Sequence, residues 1–378
     1  MPGLRHRVNV RTHRPEVFPD STIEKIGWRE RAAAEPFRGV AGGDGIVPGL
    51  FLARRTGADV SSVTRAGREY LSALTPVEAA IGRFPVDHVS RRHWANGARY
   101  FLRHGLLLDD LDSGKRARVL EIVRLSLSEY GYTLVRDLMK LNLTIGELRG
   151  ETDELNEWVY WFSVYGSPES GDPWGWQLDG HHVCVNCAII GDQMVITPTF
   201  LGAEPVIADA GKYAGTSVFR REESLAEEFC GSLSPAQRSA AVLGDKLPRD
   251  LFTGAFRDNF ELNYEGLRFD ELTAAQWRRR YGCSGSTWTG SGATSRSRTG
   301  RRWFRTRRKR ISAGFGGTDV FYYRIHSPVI LIEFEHQHGV MFDNEEPTRN
   351  HIHTVVRTLN GNDYGRDILR QHHELYHS

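Results

Sequence analysis

His182-Val183-Cys184-Val185-Asn186-Cys187-Ala188-Ile189-Ile190, followed by Gly191-Asp192 and then by Met194 to Pro198, is the stretch whose reading decides the fold. Both arms are short, apolar and rich in β-branched residues. Gly191-Asp192 supplies the turn chemistry of a hairpin, so the pair reads as two antiparallel strands. Upstream, Trp158 to Val164 is another β-rich run, closed by Gly166 and Pro168. Downstream, Val320 to His336 and His351 to Thr358 read as strands.

Before Glu151 the periodicity is helical. Leu71, Leu74, Val77 and Ile81 share one face and Val119, Ile122, Val123, Leu127 and Tyr130 another, with Thr75 and Ser113 as N-caps. Ser224 to Trp277 returns to helix, started by Ser234-Pro235. Helices, strands, helices and strands in blocks predict an α+β fold: a helix-rich N-terminal half with a mostly antiparallel, β-rich core from the second half. The expected organisation is a poorly ordered arm over 1–36 and one large domain over 37–378.

The hydrophobic share of 40%, with 11% aromatic residues, is ample for a core. The longest apolar runs, such as Val329 to Phe334, are far shorter than the ~20 residues that span a bilayer. The first twenty residues are basic and proline-containing, with no apolar segment resembling a signal peptide. Four cysteines are too few and too irregular for a disulfide framework, so a reducing, cytoplasmic compartment is expected. Cys184 and Cys187 form C-x-x-C, yet residues three apart on a strand point to opposite faces and suit ordinary buried thiols.

The net charge of +2 hides a strong asymmetry. Cys283 to Arg310 carries eight Arg and one Lys without any Asp, Glu, Leu, Ile or Val, and removing its +9 leaves −7 for the rest. No core can be built from it. It reads as an irregular Arg-rich insertion, solvated or binding acidic partners, or as a GC-rich stretch translated out of frame. The Gly-rich Val40 to Leu52 lacks the strand-turn-helix context of a nucleotide loop, and no serine elbow, H-E-x-x-H, Walker sequence or helix-turn-helix is present. Nucleic acid is not an expected partner.

Of fifteen histidines, eight lie between His326 and Ser378. On a strand through Asn350 to Arg357, a period of two places His351, His353 and Arg357 on one face and Ile352, Thr354 and Val356 on the other. His-x-His on a strand aims two imidazoles at one ion. Arg324 shares a face with His326, and His336 with His338. A second concentration runs Trp174-Gly175-Trp176-Gln177-Leu178-Asp179-Gly180-His181-His182, where two tryptophans offer an apolar wall and adjacent His181 and His182 are expected to point oppositely.

Four ordered motifs carry a resemblance: Pro173 to Gln177 through His181-His182 and Asn186; Pro198 through Gly202-Ala203-Glu204-Pro205; Tyr322 to Pro328 with Glu333 to Gln337; and His351 to Thr358 through Asn360 to Gly365. Together they resemble the bacterial and fungal domain of unknown function, family 3500, over the chain from about Phe37 onward. The resemblance implies no established activity. The Arg-rich segment departs from the family's ordinary helical and loop stretch.

The residues themselves point to a metal-dependent enzyme acting on a small organic molecule, by hydrolysis or oxidation. His181, His182, His336, His351 and His353 are the candidate ligands for a divalent ion, with zinc, copper or iron suited to neutral imidazole. Glu204, Glu333 or Asp363 could act as acidic ligand, imidazole-orienting partner or base. Arg324 and Arg357 are candidates to grip a substrate carboxylate, and Trp174, Trp176 and Gln177 to line its pocket. The reading from another class is a non-catalytic small-ligand-binding protein whose pocket is lined by those tryptophans and histidines.

Overall fold

The hairpin expected around Gly191-Asp192 forms, and it sits inside a far larger sheet. A computed structural model of the chain describes residues 20–47, 49–98, 103–169, 171–276, 310–313, 319–342 and 344–376. The strands are β1 (Ala41–Gly42), β2 (Arg83–Phe84), β3 (Leu106–Leu107), β4 (Tyr160–Gly166), β5 (Trp174–Gly180), β6 (Val183–Ile190) and β7 (Gln193–Val195). They continue as β8 (Thr199–Ala203), β9 (Glu261–Leu262), β10 (Leu267–Arg268), β11 (Arg310–Ala313), β12 (Tyr322–Ser327), β13 (Ile330–His338) and β14 (Pro347–Arg357). The helices are α1 (Asp20–Ala34), α2 (Ser61–Ser72), α3 (Pro76–Gly82), α4 (Ser113–Ser126), α5 (Glu129–Arg149), α6 (Arg220–Gly231), α7 (Pro235–Ala241) and α8 (Arg366–Tyr376).

One twelve-stranded sheet runs β10-β11-β12-β13-β14-β8-β6-β5-β4-β2, with β3 beside β4 and β7 beside β6. Within this sheet pairing is antiparallel except between β2 and β4, and β1 and β9 form a separate parallel pair. The α+β class therefore holds. The central neighbours are the telling ones: β14 pairs β8, and β8 pairs β6, so the last strand lies beside strands some 150 residues earlier.

The two faces of this sheet differ in chemistry. One presents Tyr160, Phe162, Trp174, Trp176, Leu178, Val183, Val185, Leu201, Ile352, Val356, Ile332 and Phe334 to the apolar stripes of α2, α4, α5 and α6, forming the main core. The alternate residues, among them Asp179, Arg324, Glu333, Glu335, His353 and Arg357, turn to the opposite face, where loops bury them. Period-two alternation alone sorts the apolar set from the charged set. Cys184 and Cys187 divide accordingly, the first packing with Trp94 and Phe200 and the second in the main core.

Local signals decide several ends. Thr75 and Ser234 both make reciprocal capping boxes, with Glu78 and Gln237, at the expected starts of α3 and α7. The cap of α4 is Asp112 rather than Ser113, its carboxylate accepting from Lys115 N–H. Leu71 to Ile81 is not one helical face. The chain breaks between α2 and α3, leaving Val77 69% and Ile81 50% exposed. The helix expected over 224–277 shortens to α6 and α7, and from Val242 the chain becomes the loops that cover the charged face. Val320 to His336 is two strands with a turn at Pro328, since proline cannot donate into a ladder.

Within the expected N-terminal arm, Asp20–Ala34 is helical and its end is docked: the Arg92 guanidinium donates to the Ala32, Ala33 and Glu35 carbonyls. Cys283 to Lys309 of the Arg-rich segment lies outside the described residues; Arg310 begins β11.

Candidate metal centre

The β5–β6 hairpin turns through only two residues, His181 and His182, because Gly180 pairs directly with Val183. His182 adopts φ 61, the left-handed conformation that histidine enters more readily than β-branched residues do. Adjacent residues on a strand would diverge, but in this turn they do not. The His181 and His182 rings stack with centroids 4.0 Å apart. The expectation of opposite directions fails because it applied strand geometry to a turn.

Across β8, the strand β14 contributes His351 and His353 on one face as its alternation requires. His351 Nε2 lies 3.0 Å from His353 Nε2, and His353 Nε2 lies 3.2 Å from His182 Nε2. Three imidazoles from two distant segments thus converge on one point, and among the described residues they form a group able to hold a metal ion. Two ligands at ~2.0–2.1 Å from one ion stand about 2.9–3.4 Å apart for bond angles between 90° and tetrahedral, so the observed separations suit a shared ion.

The donors are in the right state. Burial, reinforced by neighbouring histidines, pushes His182 and His353 well below the ordinary imidazole range; burial also lowers His351 and takes His181 down to about 3. All are neutral at pH 7. His351 Nδ1 donates to the His338 carbonyl at 2.7 Å, which fixes the tautomer that leaves Nε2 as a lone pair. His181 is held by Asn142 of α5, Nδ1 to Oδ1 at 2.8 Å, and props the His182 ring.

Carboxylates flank the cluster. Glu204 Oε2 stands 3.5 Å from His351 Nδ1, while its Oε1 accepts the N–H groups of Val340, Met341 and Phe342, pinning the β13–β14 loop over the site. Glu335, opposite His353 in the β13–β14 register, places Oε1 3.4 Å from His353 Nδ1. Burial, then nearby Asp250, pushes the Glu335 carboxyl well above its usual range.

Other expected site residues stand elsewhere. His336 pairs with Ile352, so it faces the helices, where Nε2 meets Glu223 at 2.9 Å and Nδ1 meets Phe321. It cannot join His353, since residues one apart on β14 look to opposite faces. Trp174 and Trp176 also turn to the helices: Trp176 stacks on Phe162 and donates to Ser126 Oγ. Both belong to the main core, on the sheet face opposite the histidine cluster. Gln177 lies on the other face, bonded to the Arg91 carbonyl and Asn186. Arg324 is buried with Glu265 at 2.8 Å. Every Arg357 nitrogen is engaged, with Asp258, Asp363 and the Thr253 and Gly254 carbonyls. Glu333 accepts from Phe252, Thr253 and Tyr322, and Asp363 from Thr358 and Arg357.

Two residues of the centre escape a reading by residue type. Gly202 gives no donor, and Glu335 sits beside a second acidic residue, Glu333, on an apolar strand. The register of β13, β14 and β8 identifies both.

The fold and this cluster define an α+β protein with a buried three-histidine centre. Residues 56–366 match the family described as Protein of unknown function (DUF3500), and the chain belongs to that family. No curated protein and no solved structure matches it significantly. No helix among the described residues is long and apolar enough to cross a membrane.

Proposed function

We propose that this protein is a metal-dependent enzyme acting on a small organic molecule, with His182, His351 and His353 holding a divalent first-row ion such as zinc, copper or iron. The observation that carries this reading is the approach of three neutral Nε2 atoms to within 3.0 and 3.2 Å in consecutive pairs. Packing histidines for structure alone would point their nitrogens at different hydrogen-bond partners. Here the Nε2 lone pair of His351 and the Nε2 atoms of His353 and His182 gather at one point, at spacings that suit ligands of one cation.

When bound at His182, His351 and His353, the ion would supply Lewis-acid or redox chemistry to a substrate. The chain's own residues prepare that centre. His338 holds the proton on His351 Nδ1, Asn142 and His181 fix the His182 ring, and Glu204 anchors the loop Val340 to Phe342 beside it. The small-molecule substrate belongs to this proposal, as does a cytoplasmic setting, which the free thiols of Cys184, Cys187 and Cys230 support.

Elemental analysis of the purified protein tests it. At least one first-row metal ion per chain, lost in His353→Ala, is expected; a protein that purifies without metal and takes up none from zinc, copper or iron solutions would overturn the reading.

A further inference from the structure

A second cluster adjoins the first and shares only His353 with it. Asp250, Glu335 and His353 bring one ligand atom each within 4.8 Å of one another. Glu335 and His353 are buried, at 1% and 4% exposure, whereas Asp250 is exposed and opens the group to solvent. Gln337 bridges the two carboxylates, its amide reaching Asp250 Oδ1 at 3.2 Å and Glu335 Oε1.

Two atoms here have no hydrogen-bond partner among the described residues despite their burial: His353 Nδ1 and Glu335 Oε2. His353 Nδ1 stands 3.4 Å from Glu335 Oε1. That is too long for a charge-assisted hydrogen bond, which closes to about 2.7–2.9 Å. It is the spacing of two ligands on one tetrahedral ion, since bonds of ~2.0–2.1 Å place them roughly 3.3–3.4 Å apart. The neighbouring pair makes the contrast. Glu204 Oε2 and His351 Nδ1 are similarly spaced at 3.5 Å, but that nitrogen already donates to the His338 carbonyl at 2.7 Å and has no lone pair to offer.

We propose that Asp250, Glu335 and His353 Nδ1 form a second divalent-cation site, so that the His353 imidazole lies between two ions. The donor set of two carboxylates and one imidazole suits a borderline or harder first-row ion, zinc or manganese. The amide of Gln337 can turn to present its oxygen, because its two ends are equivalent in shape. With both sites filled, the His353 ring would present one nitrogen to each ion, its remaining proton passing to solvent. The inference rests on the three-histidine reading only through this shared ring.

Native mass spectrometry of chelator-stripped protein titrated with zinc(II) alone separates the two. Two zinc ions per wild-type chain are expected, one in Asp250→Asn and one in His351→Ala, with Glu335→Gln repeating the first loss and circular dichroism confirming that each variant is folded. A single ion kept in Asp250→Asn and lost in His351→Ala overturns the second site and leaves the first. A single ion kept in His351→Ala and lost in Asp250→Asn overturns the three-histidine reading instead. Two ions in wild type that both persist in Asp250→Asn and Glu335→Gln place the second ion elsewhere and overturn this proposal.

Discussion

Gly202 is the gap through which His182 and His353 meet: a Cβ at that position would stand 2.7 Å from His353 Cδ2 and 3.0 Å from His182 Cδ2. It lies opposite His353 in the β8–β14 register, on the strand that separates the two histidine segments. The Ile352 carbonyl at 2.9 Å closes the third side. Gly202→Ala should therefore cost about 1–3 kcal/mol of stability from overpacking and weaken zinc binding by displacing a ligand ring. Urea denaturation and a zinc titration read the two effects; unchanged zinc affinity would mean the histidines do not share an ion.

His353→Ala removes the ring common to both clusters. With free zinc at about 100 times its dissociation constant, wild type should gain roughly 2.7 kcal/mol, because the unfolded chain has no formed site. The variant should gain far less. Thermal melts of both proteins with chelator and with zinc measure this, and equal shifts for the two would leave the cluster without a metal.

Arg357 should matter to stability and not to binding. Its guanidinium holds Asp258 at 2.8 Å and Asp363 at 3.2 Å, all three buried. Arg357→Ala leaves the buried Asp363 carboxylate without its cation, while Asp258 keeps Arg92 at 2.8 Å, and is expected to destabilise by about 3–5 kcal/mol, equally with and without zinc. A variant with wild-type stability and impaired turnover would instead restore a substrate-gripping role.

His326, tilted against Tyr264 with centroids 4.5 Å apart, has its pKa lowered to about 3, first by burial and then by Arg324. The folded ring resists protonation that the unfolded chain accepts near pH ~6.5, so its contribution is whole above that pH and is lost as pH falls toward 3. One such group removes about 1.4 kcal/mol per pH unit within that window. His326→Phe keeps the ring contact and should flatten the pH dependence between 6.5 and 4 by that slope. Denaturation curves at several pH values check it; parallel wild-type and variant profiles would show that the ring titrates normally.

Much of the centre was legible in residues alone. The alternation through Asn350 to Arg357 places His351 and His353 together, since a strand has no other way to arrange residues two apart. The same rule set the two cysteines of C-x-x-C apart, and the Gly191-Asp192 turn and the Thr75 and Ser234 caps depend on chemistry within four residues. The α+β class followed from the blockwise change of period at Glu151.

What periodicity cannot supply is the identity of the neighbouring strand and which face of it is covered. His336 satisfies its own strand pattern as well as His353 does, yet a one-residue offset against Ile352 sends it to the helices. Trp174 and Trp176 look like a pocket wall until α4 and β4 pack on them. His181 and His182 diverge on a strand and stack in a turn, and only the pairing of Gly180 with Val183 says which applies. The residues of His-x-His, then, were set by backbone geometry that any strand shares, whereas the third histidine, the glycine that admits it and the carboxylate behind it were chosen by the order β13-β14-β8-β6. That order arises from burying one apolar sheet face against four helices, a contest among contacts hundreds of residues apart that no local pattern encodes.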